Sequence, residues 1–380
     1  VILFLHNRYR TPGGEERVVE DLAWLVRSHL GEDAEVLERD SASLGRARAA
    51  AGLLRGGLDP GAVGDAVRRT GARIVHAHNL HPALGWRALA AARAAGAKTV
   101  LQLHNYRLVC AVGTCVNPAG EDCTRCHGRD TRPGVALDCR GARAEALTYA
   151  VALAAHQRRM VEHADAIVVP SAAARERLIA LGAPEAARAA VLGHVVRTFA
   201  DDDGPRAGAL VAARLAPEKA VDLAIDACAI ARMPLTVCGD GPLAPALREH
   251  AARAGADVTF TGRVDAAELA RRRARAAVAL VPSRAHETFG LAALEAMAAG
   301  LPIAATRSGA LAELEGDAAL VAPGDAPALA RAALAQAADP AAPAAARAAA
   351  RRRAAPEVVA PRLAALYASL GSPPERGADL

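Results

Sequence analysis

Aromatic side chains are scarce, 3% of the 380 residues, which removes the stacking platforms that grip single-stranded nucleic acid. Long apolar runs are missing too: none approaches the ~18 uncharged residues a membrane span requires. No candidate strand is followed by G-x-G-x-x-G with an acidic residue about 20 positions on, which disfavours a dinucleotide oxidoreductase. Charge of one sign is also short, with 46 basic against 41 acidic residues, a formal charge of +5 and a pI near 9.0. That mild excess suits a phosphorylated small molecule or contact with an acidic membrane face, and no nucleic-acid partner is expected. The cysteines number seven, an odd count, so a framework of disulfides is not expected in a reducing compartment.

What is present is apolar: 52% hydrophobic residues, enough for packed cores, in a chain longer than the ~250 residues at which a single core stops growing. Two domains are therefore expected. A strand pattern is already under way at Val1, so residues are expected ahead of it. A cytoplasmic protein, soluble or resting on the inner membrane face, is the expectation.

Short β-branched runs alternate with Ala-, Leu- and Arg-rich helical patterns, which is the signature of βαβ units and an α/β fold with parallel sheets. Strands are predicted at "VILFLHN", "AEVLERD", "RIVHAHN", "KTVLQLHN" and "DAIVVPS" in the first half. The pattern restarts with "ALVAARL", "PLTVCGD", "DVTFTGRV", "AVALVPS", "PIAATRSG" and "AALVAPGD". Each half suffices for a doubly wound sheet. The boundary is predicted in "RTFADDDGPRAG", separating residues 1–200 from 207–350, and an amphipathic helix over 356–372 caps the second domain or crosses back to the first. Arginine runs such as Arg271–Arg273 lie on helical stretches and read as solvated faces.

In doubly wound sheets ligands sit beyond the carboxyl ends of the strands, so the residues just after each strand carry the chemistry. Arg214 and Lys219 follow "ALVAARL" and stand where the next helix begins. Cations there reinforce the positive helix end, an excess a phosphate would relieve. Gly239, in "GDGP", makes a tight turn that fits close ligand approach or simple chain reversal. Arg263 and Val264 follow "DVTFTG" as a wall for a base. Glu287 lies in the loop after Pro282-Ser283, and Phe289, Gly290 and Leu291 supply the first backbone amides of a helix, an anion site. Glu295 stands one turn into that helix. A carboxylate only accepts hydrogen bonds, so two of them flanking such amides suit sugar hydroxyls and a vicinal diol such as ribose.

"ARLAPEK", "GDGP", "FTGRV" and "HETFGLAALEAMAAGLPIA", in that order, resemble the retaining GT-B glycosyltransferases of glycosyltransferase family 4. "HNRYRTPGGEERVVEDLA" and "VLQLHN" resemble its first domain. The resemblance covers nearly the whole chain and implies two Rossmann-like domains facing across a cleft, the first choosing the acceptor and the second holding a nucleotide-diphosphate sugar. It implies that Arg214 and Lys219 hold the diphosphate, Glu287 the donor sugar, Glu295 the ribose, and the amides of Phe289, Gly290 and Leu291 the sugar and phosphate. Gly13 and Gly14 would let backbone approach donor or acceptor. His104, which alone reads as a satisfied strand-end histidine, would lie near the donor sugar. The implied reaction retains anomeric configuration by front-face attack on a hydroxyl acceptor, without an obligatory divalent cation. A sugar-nucleotide epimerase and a non-catalytic nucleotide-sugar sensor or scaffold are the other readings.

An insertion over 108–142, rich in Gly and Pro, holds five of the seven cysteines. Cys123-x-x-Cys126 has metal-knuckle spacing, and Cys110 and Cys139 would complete a tetrahedral structural zinc site, with Cys115 or His127 as substitute ligands. Reduced thiols without metal are the competing reading.

Overall fold

In the computed structural model, residues 1–10, 13–200 and 204–371 are described. Asp201–Asp203, within the predicted boundary segment, and Ser372, the predicted end of the last helix, lie outside them. So do Thr11 and Pro12 of the N-terminal motif.

The first sheet contains β1 (Ile2–Arg8), β2 (Ala34–Asp40), β3 (Ile74–Ala77), β4 (Lys98–Gln102), β5 (Ala166–Val169) and β6 (Ala190–Val191), ordered β2-β1-β3-β4-β5-β6. The second contains β7 (Ala209–Ala212), β8 (Leu235–Cys238), β9 (Val258–Gly262), β10 (Val278–Val281), β11 (Ile303–Thr306) and β12 (Ala319–Val321), ordered β12-β11-β10-β7-β8-β9. Every pairing is parallel. Helical crossovers cover both faces, so inner strands such as Ile2-Leu3-Phe4-Leu5 are fully buried and read as unbroken apolar runs. The α/β expectation with two doubly wound sheets holds. The sequence reading misses β6, whose two residues are exposed at an edge and carry no pattern.

The chain divides into two compact units, one comprising Val1–Gly113, Arg125–Val195 and Pro356–Leu380, the other Thr114–Thr124 and Val196–Ala355. In the first, the helix Pro356–Gly371 places Tyr367, 1% exposed, with its hydroxyl 2.8 Å from Nδ1 of His76 on β3. Among the described residues no helix is long and apolar enough to cross a membrane.

Strand order reverses between β1 and β3 in one sheet and between β7 and β10 in the other. At such a switch point the flanking loops run to opposite faces and open a crevice beyond the strand ends. Of the predicted site residues of the second unit, Arg214 and Lys219 follow β7 and Glu287 to Glu295 follow β10, on either side of that switch point, while Gly239 follows β8 and Arg263 and Val264 follow β9.

Candidate active site

Beyond β7 the chain passes through a short 3-10 turn, Pro217–Lys219, and the helix begins only at Val221. Ala220 between them has φ 48°, a left-handed conformation disfavoured for a residue with a Cβ and stored here in a site loop. The Glu218 carbonyl accepts from the amides of Arg284 at 2.9 Å and Ala285 at 3.2 Å, tying the β7 loop to the β10 loop across the switch point.

That tie brings two predicted residues together. Lys219 Nζ donates to Glu287 Oε1 at 2.6 Å, and the Ser283 hydroxyl donates to the same oxygen. The side chains are 32% and 12% exposed. Burial pushes the Glu287 carboxyl up, but the Lys219 charge, the hydrogen bonds from Lys219 and Ser283, and nearby His286 outweigh it. The net direction is down, so Glu287 is a carboxylate at neutral pH. Its backbone is fixed from the β11 side, where Ala310 N donates to Glu287 O at 2.8 Å.

The uncompensated positive charge expected at this helix start is not found. Arg214 pairs with Glu218, Lys219 with Glu287, and Arg284 makes a two-pronged bond to Asp222 at 2.9 and 2.5 Å. Each cation has a carboxylate because the loops fold back on one another. Sequence reasoning passed over Ser283, Arg284 and Asp222; the signal was their position, at the end of one strand and the first turn of the helix after its neighbour.

Gly290 caps the helix Leu291–Ala298 at φ 80°, and a Cβ there would stand 2.8 Å from Leu311 Cδ2. Phe289 and Leu291 lean their side chains on the apolar core, as does Val264, while Arg263 is exposed just past β9. Glu295 accepts from Arg273 Nη2 at 2.7 Å. Arg273 is therefore not on a solvated face, as its run of arginines suggests, but buried at 8% exposure. The signal was its four-residue spacing from Leu269, which puts it on the inward face of the helix Ala266–Arg275.

Gly239 serves the protein itself. Its φ is 151°, and a Cβ would lie 1.9 Å from the Ala213 carbonyl; at Gly241 it would lie 2.5 Å from that of Leu215. The "GDGP" turn packs closely on the backbone beyond β7, which by itself requires glycine there.

In the first unit, Gly13 is the extended N-cap of the helix Gly14–His29. Glu16 accepts from Gly13 N at 2.7 Å and Tyr9 N at 2.9 Å. Burial opposes ionisation of Glu16, yet the His6 ring and these amides bring it down to about 2. Beyond β3 and β4, His78 Nδ1 and His104 Nε2 are 2.7 Å apart, with ring planes 22° from parallel and centroids 5.0 Å apart, an edge-to-edge imidazole hydrogen bond. Burial lowers His104 to about 3, so it is neutral. A cavity of about 40 Å³ is lined by both rings with Glu15, Asn105, Arg107 and Gln157 among others.

The predicted zinc set Cys110, Cys123, Cys126 and Cys139 is not assembled: among the described residues no three His, Cys, Asp or Glu side chains are grouped to hold a metal ion. No disulfide forms among the seven cysteines. In the backbone of the insertion Cys110 N donates to Tyr106 O, Cys123 N to Cys115 O and Cys139 N to Gly134 O. Hydrogen bonds within the insertion and to its neighbours include Asn117 to Glu121, Arg140 to Ala111 O and Gln157 to Leu108 O. Cys228 and Cys238 are buried as expected.

Residues 2–194 match the family described as "Glycosyl transferase 4-like domain", and residues 206–339 match "Glycosyl transferases group 1". A GDP-mannose-dependent alpha-(1-6)-phosphatidylinositol dimannoside mannosyltransferase of Mycobacterium tuberculosis is 43% identical over 109 residues, 27% of each chain. The chain thus spans about a quarter of the length of the curated relatives it matches. Among solved structures, Anabaena HepE in complex with UDP-glucose aligns at TM-score 0.62 and 20% identity, over 97% of this chain and 99% of that one. Sucrose-phosphate synthase of Thermosynechococcus elongatus aligns at 0.68 and 18%, over 97% and 98%. With the first family match spanning half its length, a second match beyond it and two doubly wound sheets of the GT-B kind, the chain belongs to the glycosyl transferase 4-like family of glycosyltransferases.

Proposed function

We propose that the protein is a retaining glycosyltransferase that moves a sugar from a nucleoside-diphosphate sugar to a hydroxyl of a polysaccharide, glycolipid or natural-product acceptor. The observation that carries this reading is the Lys219–Glu287 pair at the β7–β10 switch point, with Glu295 one turn into the helix that follows. Bound at that crevice, a diphosphate would meet Lys219, Arg214 and the amides of Phe289, Gly290 and Leu291. Charge-assisted hydrogen bonds of this kind act most strongly where charge develops on the leaving group. Glu287 would accept from the donor sugar and Glu295 from the ribose, with Arg263 and Val264 beside the base.

In the step proposed, the bond from the anomeric carbon to the β-phosphate oxygen breaks and the bond to the acceptor oxygen forms on the same face. The acceptor's proton passes to the departing phosphate. Double inversion would need a nucleophilic carboxylate below the anomeric carbon; here the Glu287 carboxylate is assigned instead to accept hydrogen bonds from the donor sugar. His104, neutral and hydrogen-bonded to His78, would offer a hydrogen bond to the sugar rather than a charge. Two relatives, one complexed with UDP-glucose and one named GDP-mannose-dependent, support a nucleotide-sugar donor. The phosphatidylinositol dimannoside in the latter name supports a glycolipid acceptor reached at a membrane face.

The test is a thermal-shift panel of UDP, GDP, ADP and TDP and their sugars against wild type and Glu295→Ala. A ligand at about 100 times its dissociation constant adds roughly 2.7 kcal/mol. One nucleotide family is expected to stabilise the wild type, with Glu295→Ala binding it roughly ten- to a hundredfold more weakly. Absence of any shift rejects the donor reading. A shift without release of nucleoside diphosphate in the presence of sugar-bearing acceptors favours a sensor instead.

A further inference from the structure

The helix Ala266–Arg275 ends in arginines with different fates. Arg271 and Arg272 pair with Glu268 at the surface, at 2.7 Å each. Arg273 turns inward and pairs with Glu295, the two side chains being 10% and 11% exposed. Its backbone is held as well: Arg206 Nη1 donates to Arg273 O and Arg206 Nη2 to Ala299 O, both at 3.2 Å. One guanidinium thus ties the ends of the two helices that carry Arg273 and Glu295, where a cation also complements the negative helix ends.

Resting on the donor reading above, we propose that Arg273 is a positioning residue for the nucleotide's ribose: it holds the Glu295 carboxylate toward the 2′,3′-diol and makes the site selective for ribonucleotides over 2′-deoxyribonucleotides. Glu295 has two electrostatic difficulties in that role. It is largely withdrawn from water, where a lone carboxylate is disfavoured, and it would stand in the same crevice as a diphosphate. Arg273 answers both, since its guanidinium compensates the carboxylate from behind. The bond does not compete with a diol, because a carboxylate accepts about four hydrogen bonds and Arg273 supplies an N–H to Oε2. A rigid planar donor also fixes the carboxylate plane better than an ammonium would. Free to rotate, Glu295 would lose the charge-assisted bond to the 2′-hydroxyl, worth roughly ten- to a hundredfold in affinity.

The experiment is calorimetric titration of the full chain with UDP, GDP and their 2′-deoxy counterparts, for wild type, Arg273→Met and Arg273→Lys. Wild type is expected to prefer the ribonucleotide by roughly tenfold or more. In Arg273→Met the ribonucleotide weakens by about that factor while the deoxynucleotide is unchanged, so selectivity falls toward one; Arg273→Lys recovers part of it. Ribo and deoxy forms weakening together would mean that Arg273 only packs the helices, and overturns the proposal. So does wild-type selectivity in a folded variant. Should Arg273→Met fail to fold, Arg273→Lys decides: intact selectivity overturns the proposal and reduced selectivity supports it. A wild type that binds ribo and deoxy forms alike rejects this inference alone, whereas one that binds no nucleoside diphosphate of the panel above rejects the donor reading with it.

Discussion

Replacing Lys219 by Met tests the charge balance of the crevice without any ligand. The ammonium and the Glu287 carboxylate are 2.6 Å apart, with 32% and 12% side-chain exposure. The pair lies between an exposed one, worth under ~1 kcal/mol, and a buried one, whose breaking costs ~3–5 kcal/mol; a loss of about 2 kcal/mol at neutral pH is expected. The second unit has roughly 170 residues, for which each kcal/mol moves Tm by about 2–4 °C, so its transition should fall by ~4–8 °C. The pH dependence follows from the direction of the shift. In wild type the Glu287 carboxyl lies below its ordinary 4.5, so its contribution is present above that value and lost as pH falls through the lower folded-state one. Without Lys219 burial dominates, the carboxyl moves up, and the folded variant favours the protonated form. The deficit of the variant should therefore shrink as pH drops through 4.5 and below. Circular dichroism melts of both proteins across the acid range measure this. Equal Tm at neutral pH, or a deficit that stays constant into the acid range, would refute the pairing energetics.

Gly239→Ala should destabilise the second unit by about 3 kcal/mol in urea unfolding, because its Cβ would meet the Ala213 carbonyl at 1.9 Å and overpacking against backbone cannot relax cheaply; a neutral result would show that the turn can shift. Tyr367→Phe removes a buried hydroxyl bonded to His76 and leaves that ring nitrogen unsatisfied, so the first unit should lose about 1–2 kcal/mol, with faster amide exchange in the helix Pro356–Gly371. Glu16→Gln should cost about 1–2 kcal/mol at pH 7, where two amides bond the carboxylate. Because Glu16 titrates at about 2 against an ordinary 4.5, that cost should fade as pH drops between those values; a cost independent of pH in urea titrations would contradict the assignment.

Strands and their loop residues were legible because a parallel strand buried on both faces writes itself as an apolar run, and its ligand-facing residues come directly after it. The restart of the pattern at "ALVAARL" and the spacing of Glu287 and Glu295 could be read for the same reason. Partnerships were less legible. Lys219 and Glu287 are 68 residues apart and meet only because the strand order sets β7 beside β10, a fact of topology that no local spacing carries. Arg273 was hidden by composition: among three arginines in a row, the inward one is distinguished only by its register with Leu269, and its partner Glu295 lies 22 positions on. Gly239 shows the opposite ambiguity, since a glycine announces that something approaches closely but not whether it is a ligand or the Ala213 carbonyl. For the cysteines, a C-x-x-C spacing fixes two ligands at most and the remaining two depend on a loop path that no local spacing carries; among the described residues no three are grouped to hold a metal ion. Residue types at strand ends thus indicate what chemistry a crevice can offer, while the partner behind each carboxylate decides how it is aimed. Lys219 and Arg273 are the residues through which that decision can be altered, one carboxylate at a time.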